Sequence, residues 1–180
     1  STGTALSNVL YVGYAEVGGV SYVYALSSAQ VTIFGVRTTG WSPMWASTPT
    51  AGWVYGTSSW ATSSTVSTMT AGSVVSDVPI IVGSALLVPM YVAGTGCSLG
   101  TGYYDIFSLA TGGFPASLPL TRNGAAITSS IYVGLGPAFT PSTTVITTEV
   151  TAKIIGRRVS IRAKKGGVRT LARTKAGTPQ

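Results

Sequence analysis

Short apolar runs with a period of two, each closed by Gly, Pro or Ser, recur along most of this chain. Val, Thr, Ile, Tyr and Trp fill the runs, and these side chains suit a pleated, half-buried surface. Residues 8–15 and 20–26 flank Glu16-Val17-Gly18-Gly19 and predict a hairpin. Residues 31–37 predict a third strand, ended by Thr38-Thr39-Gly40. Further strands are expected at 52–56, 66–70, 78–82, 85–88, 90–93, 103–109, 129–134 and 143–155. No stretch carries a helical apolar period of useful length. These short strands, spaced near ten residues apart, indicate an all-β chain built as an antiparallel sandwich or barrel, not from βαβ units.

The alternation continues into the C-terminal region and changes character there. Val145, Thr147, Glu149, Thr151 and Lys153 alternate with Ile146, Thr148, Val150, Ala152 and Ile154, which gives one polar and one mainly apolar face. After Gly156, Arg158, Ser160, Arg162 and Lys164 alternate with Val159, Ile161 and Ala163. Lys165-Gly166-Gly167 can turn the chain, and residues 168–173 can return antiparallel. The end of the chain thus reads as a basic arm or β-hairpin with its cations mostly on one face. The expected organisation is an assembly domain over 1–152 and a basic arm over 153–180.

Charge sharpens that division. Residues 1–150 carry Arg37 and Arg122 against Glu16, Asp77, Asp105 and Glu149, whereas residues 151–180 carry nine cations and no anion. Such a block usually marks an interaction tail with an anionic partner. Lys153, Arg157, Arg158, Arg162, Lys164, Lys165, Arg169, Arg173 and Lys175 would neutralise phosphates and release counterions, with little sequence preference. No aromatic residue accompanies them, so the base stacking used by single-strand readers is missing. That favours packaging or charge neutralisation of nucleic acid. The alternative is a solvated basic end, or a basic strand pairing with another subunit.

The body is poor in charge: 8% of all residues are charged, while Ser and Thr number 48. A surface built on hydroxyls has few charges to desolvate when copies pack together, which points to a self-assembling subunit. All four Trp fall close together, at Trp41, Trp45, Trp53 and Trp60. The area a Trp buries favours a core patch or loop anchor, and exposed rings would form a contact between subunits.

Catalytic and metal chemistry find little support. The chain has no His, which removes the commonest general base and most zinc sites. Its four acidic residues are scattered, and no phosphate-binding Gly-Lys-Ser/Thr motif occurs. We expect no enzyme activity, no cofactor and no metal. Cys97 is alone and is expected to be a small buried hydrophobe. The longest apolar stretch, residues 78–93, is interrupted by Pro79, Gly83, Ser84 and Pro89, so no transmembrane segment is expected.

A low-charge, Ser/Thr-rich β body with a cationic terminal arm resembles, in size and layout, the single jelly-roll coat proteins of small non-enveloped viruses. The resemblance implies a jelly-roll-like β-sandwich, a large closed shell of identical copies, and residence in a virion. It also implies that residues 153–175 form an arm facing the packaged genome. The arm is commonly N-terminal in that family and is C-terminal here. Two other expectations stay open: an extracellular filament subunit of the strand-donating β-sandwich type, archaeal ones included, and a phage decoration or tail protein.

Overall fold

Val17 pairs with Val20 across a two-residue loop in which Gly18 and Gly19 hold φ of 59° and 75°. Two consecutive positive φ values are the type I′ geometry whose twist matches that of the flanking strands, and glycine adopts them without a Cβ clash. The turn joins β1 (Tyr11–Val17) to β2 (Val20–Ser27), which continues by hairpins into β3 (Gln30–Arg37), β4 (Gly40–Ser47) and β5 (Gly52–Val54). The structure, a computed structural model, describes residues 6–37, 40–55, 65–122, 125–140, 150–155 and 158–163. Among these, every regular element is a strand and none is a helix, as the alternation led us to expect.

The remaining strands are β6 (Ser73–Val75), β7 (Ile80–Val82), β8 (Ala85–Val92), β9 (Thr101–Ser108), β10 (Leu120–Arg122), β11 (Ala125–Ala126), β12 (Ile131–Leu135), β13 (Val150–Ile155) and β14 (Arg158–Ala163). They form three sheets: a meander β1-β2-β3-β4-β5, a second sheet β12-β9-β8-β6 with β7 also on β8, and a third sheet β11-β10-β13-β14. Pairing is antiparallel throughout except between β10 and β13, which run parallel. The third sheet is therefore closed by a long-range contact.

The short strands β6, β10 and β11 form where no strand was expected, and three further features depart from the sequence expectations, each for a local reason. β4 holds Trp41, Pro43 and Trp45 where no strand was expected; its Pro43 lies opposite Phe34, where the register shifts after Ile33 and a ladder bond is already disrupted. β8 runs unbroken through Pro89, where two strands were expected. The Pro89 carbonyl accepts from Ser76 N at 2.9 Å, so the ring nitrogen faces the same side of the strand. On that side β6 pairs as far as Met90 and β7 begins at Leu87, so no ladder bond needs the missing N–H. Residues 66–70 are irregular instead of a strand. Ser67 N donates to Gly112 O and Met69 N to Thr48 O, which ties the segment to two separate parts of the chain.

The second sheet is buried on both faces. Leu86, Val88 and Met90 of β8 and Phe107 of β9 pack with Tyr22, Leu26, Ile33 and Trp45 of the first sheet. The alternate residues Ala85, Leu87, Tyr104 and Ile106 turn the other way and pack with Ile131, Val133, Leu120 and Ala138. Side chains of a strand alternate between faces, so one eight-residue strand feeds both cores. A strand buried on two sides reads as a near-continuous apolar run, which is what Ala-Leu-Leu-Val-Pro-Met shows.

Candidate nucleic-acid interface and assembly surface

For three cations of the basic end, strand register decides which face of the sheet they share. Val150 pairs with Ala163, Thr151 with Arg162, Ala152 with Ile161, Lys153 with Ser160, Ile154 with Val159 and Ile155 with Arg158. Directly opposed residues of a ladder share a face. One face of the β13–β14 hairpin therefore holds positions Thr151, Lys153, Ile155, Arg158, Ser160 and Arg162. The other holds Val150, Ala152, Ile154, Val159, Ile161 and Ala163, all apolar.

The neighbouring strand orients the hairpin. Leu120 is opposite Ala152 in the parallel ladder, and Leu120 is buried in the core cluster on the far face of the second sheet. The apolar positions of β13 thus share a face with a core residue, and Lys153 shares its face with Thr121. Arg122, opposite Ile154, is half-buried on the Leu120 face. Strand β13 crosses residue 152, so the first cation of the tail lies inside a sheet. Arg157, Lys164, Lys165, Arg169, Arg173 and Lys175 lie outside the described residues, as does the expected return strand 168–173.

The tryptophans divide between core and surface. Trp45 is fully buried, donates from Nε1 to the Leu109 carbonyl at 2.9 Å, and sits 5.5 Å from the Phe107 ring. That burial assigns Trp45 to the core and leaves it unable to touch another subunit. Trp53 is half-buried and meets Tyr55 edge-on at 6.2 Å. Trp41 is 49% exposed and meets Tyr14 edge-on at 6.5 Å. Trp60 lies outside the described residues. Sequence proximity alone could not separate these roles; the register against β3 does, since Trp45 is opposite the core residue Ile33 and Trp41 is opposite Val36.

Trp41 belongs to an apolar surface that sequence reasoning missed. Val9, Leu10, Val12 and Tyr14 are also exposed, and they lie on or just before β1. A cleft of about 260 Å³ adjoins this region, lined by Leu6, Val9, Ala25, Thr32, Trp53 and Tyr55 among others, with no charged residue. Exposed contiguous apolar surface of this kind marks interaction sites. The signal in the sequence was β1 itself, which has apolar residues on both faces and only Glu16 charged.

Two carboxylates, Asp105 and Asp77, serve the fold. Asp105 is 1% exposed; Oδ2 accepts from Thr70 N at 2.7 Å and Oδ1 from Thr70 Oγ1 at 2.6 Å. Burial pushes its carboxyl above the usual carboxylate range, opposed by the bonds from Thr70 and the Ser130 hydroxyl. Asp77 accepts from Val78 N at 2.8 Å and Thr140 N at 2.9 Å, which pins the segment after β12. Among the described residues no group of three or more Cys, Asp or Glu converges on a metal-sized site. Cys97 is exposed and not buried as expected; it follows Gly96, which holds φ of 61° in a turn between β8 and β9. Among the described residues no helix is long and apolar enough to cross a membrane. No protein-family model, curated protein or solved structure matches this chain.

Proposed function

We propose that this protein is a structural, self-assembling subunit, a viral coat protein whose basic C-terminal segment contacts packaged nucleic acid. The observation that carries the reading is the segregation of cations: nine lie in residues 153–175 and none of the four acidic residues does. Placement of Lys153, Arg158 and Arg162 on one face of a hairpin supports it, because a cationic face opposite an apolar one can lie on a shell wall and still meet phosphate. The exposed apolar surface at Val12, Tyr14 and Trp41 supports the assembly half.

In this reading the first and second sheets form the sandwich of the body, supported by the one of the two core clusters that they share. The consecutive order of the first sheet is that of a meander, without the crossings of a Greek key. A second reading is an extracellular filament subunit, favoured by the edge of β1, which no strand pairs with among the described residues and which could accept an incoming strand. It leaves the nine cations unexplained.

Electron microscopy of the native assembly in near-physiological salt distinguishes the two. The coat reading expects closed shells with dense interiors, and shells of a chain ending at Ala163, which keeps four of the nine cations, with less dense ones. Filaments from the full chain would overturn it.

A further inference from the structure

β1 is the outer strand of the first sheet, and among the described residues no strand pairs with its far edge. Proteins usually blunt such edges with Lys, Pro, bulges or a covering segment, because unpaired N–H and C=O groups recruit other strands. β1 contains neither Lys nor Pro. Val12 and Tyr14 are exposed on one face, while Tyr11, Ala15 and Val17 only partly bury against the core on the other. The strand has the two-sided apolar character of an interior strand, in an edge position.

Its backbone parity defines what can pair there. The β-turn bond between the Val17 carbonyl and the Val20 N–H makes these two a hydrogen-bonded pair. Bonded and non-bonded pairs alternate along an antiparallel ladder, so Tyr11, Gly13, Ala15 and Val17 bond to β2. The N–H and C=O groups of Val12, Tyr14 and Glu16 then point outward, to the open edge.

We infer that β1 pairs antiparallel with β1 of a second copy about a two-fold axis at Tyr14, joining two five-stranded sheets into one. This names the partner surface for the assembly half of the proposed function and rests on that reading. In this register Tyr11 meets the partner's Val17, Val12 meets the partner's Glu16, and Tyr14 meets the partner's Tyr14, so the whole strand is paired. The outward-facing residues of one copy fall opposite those of the other, which completes about six hydrogen bonds, two per bonded pair. Each Glu16 lies opposite a valine. The two carboxylates are four residues apart along the ladder, about 14 Å at about 3.4 Å per residue, farther than the roughly 8 Å screening length at physiological salt. A strand that fits its own copy in bond parity, length and charge is the isologous contact that two-fold symmetry requires.

Sedimentation of the full chain, with far-UV circular dichroism to monitor the fold, tests this by a contrast of charges. Val12→Glu sets a carboxylate against the partner's Glu16 at two places and is expected to weaken the dimer about tenfold. Val12→Lys sets a cation there and is expected to leave it as tight or tighter. Tyr14→Pro removes an outward N–H without taking a bond from β2, and is expected to give monomers with an unchanged spectrum. Equal effects of Val12→Glu and Val12→Lys would overturn the inference, and this pair decides the matter if Tyr14→Pro fails to fold. Persistent assembly of a folded Tyr14→Pro chain would overturn pairing through β1 and leave the self-assembly reading standing. A wild-type chain that stays monomeric at every concentration would overturn both.

Discussion

Leu86 and Leu87 are adjacent in β8, both fully buried, and face opposite cores. Truncating each to Ala tests whether the second sheet is a true interior layer. Removing a buried leucine side chain costs the transfer free energy of its lost carbons plus a cavity term, about 2–5 kcal/mol in all. Neither site borders solvent that could fill the void, so about 3 kcal/mol or more is expected for each. The two cavities open on opposite sides of the strand and share no packing partner between the two clusters. Their effects are therefore expected to add to within about 0.5 kcal/mol, as for independent sites, although the residues are neighbours in sequence. A combined loss of about 6 kcal/mol is a large part of the 5–15 kcal/mol typical of a domain. Urea unfolding of the two single variants and the double variant measures all three values. A cost below about 1 kcal/mol for either single variant would refute burial on both faces. Strong non-additivity would refute the separation of the cores.

Asp105 has its carboxyl pKa raised by burial, so the folded state holds a proton more tightly than the unfolded chain does. Stability from this group is full below the ordinary value of 3.8 and falls as pH rises from there through the higher folded value. Unfolding midpoints compared with Asp105→Asn are expected to show that slope in the wild type and not in the variant; matching slopes would contradict it. Gly112 holds φ of 72°, and a Cβ there would lie 2.7 Å from Trp45 Cδ2. Gly112→Ala is expected to lower stability by more than 1 kcal/mol, roughly the cost of a strained left-handed alanine alone, and to shift Trp fluorescence; an unchanged midpoint would contradict the close contact.

Local signals made the first hairpin legible, since Gly18-Gly19 sits between alternating runs, but the expected connection 16–19 shortens to two residues because Glu16 and Val17 pair with Ser21 and Val20. Proline misled twice, because Pro43 and Pro89 each sit where a bulge or a gap between partner strands removes the need for an N–H, and that context is tertiary. Val66 and Met69 looked like strand residues, yet they are buried by an irregular segment held through single bonds to distant loops. The parallel pairing of β10 with β13 joins Leu120 to the distant Ala152 and leaves no local mark. For the candidate surfaces, alternation disclosed which cations share a face. The division of the tryptophans did not show, since burial depends on the strand opposite. Exposure of Cys97 in a glycine-rich turn also followed from chain path and not from residue type.

Polyanion binding by the C-terminal cations is open to test through the salt dependence of binding to a labelled single-stranded oligonucleotide. If all nine cations engage, the slope of log affinity against log salt is expected to approach about −6. A chain ending at Ala163 keeps Lys153, Arg157, Arg158 and Arg162, and its slope is expected to fall to about −3. A full chain whose binding is insensitive to salt, or equal slopes for the two chains, would rule out polyanion binding by the C-terminal cations.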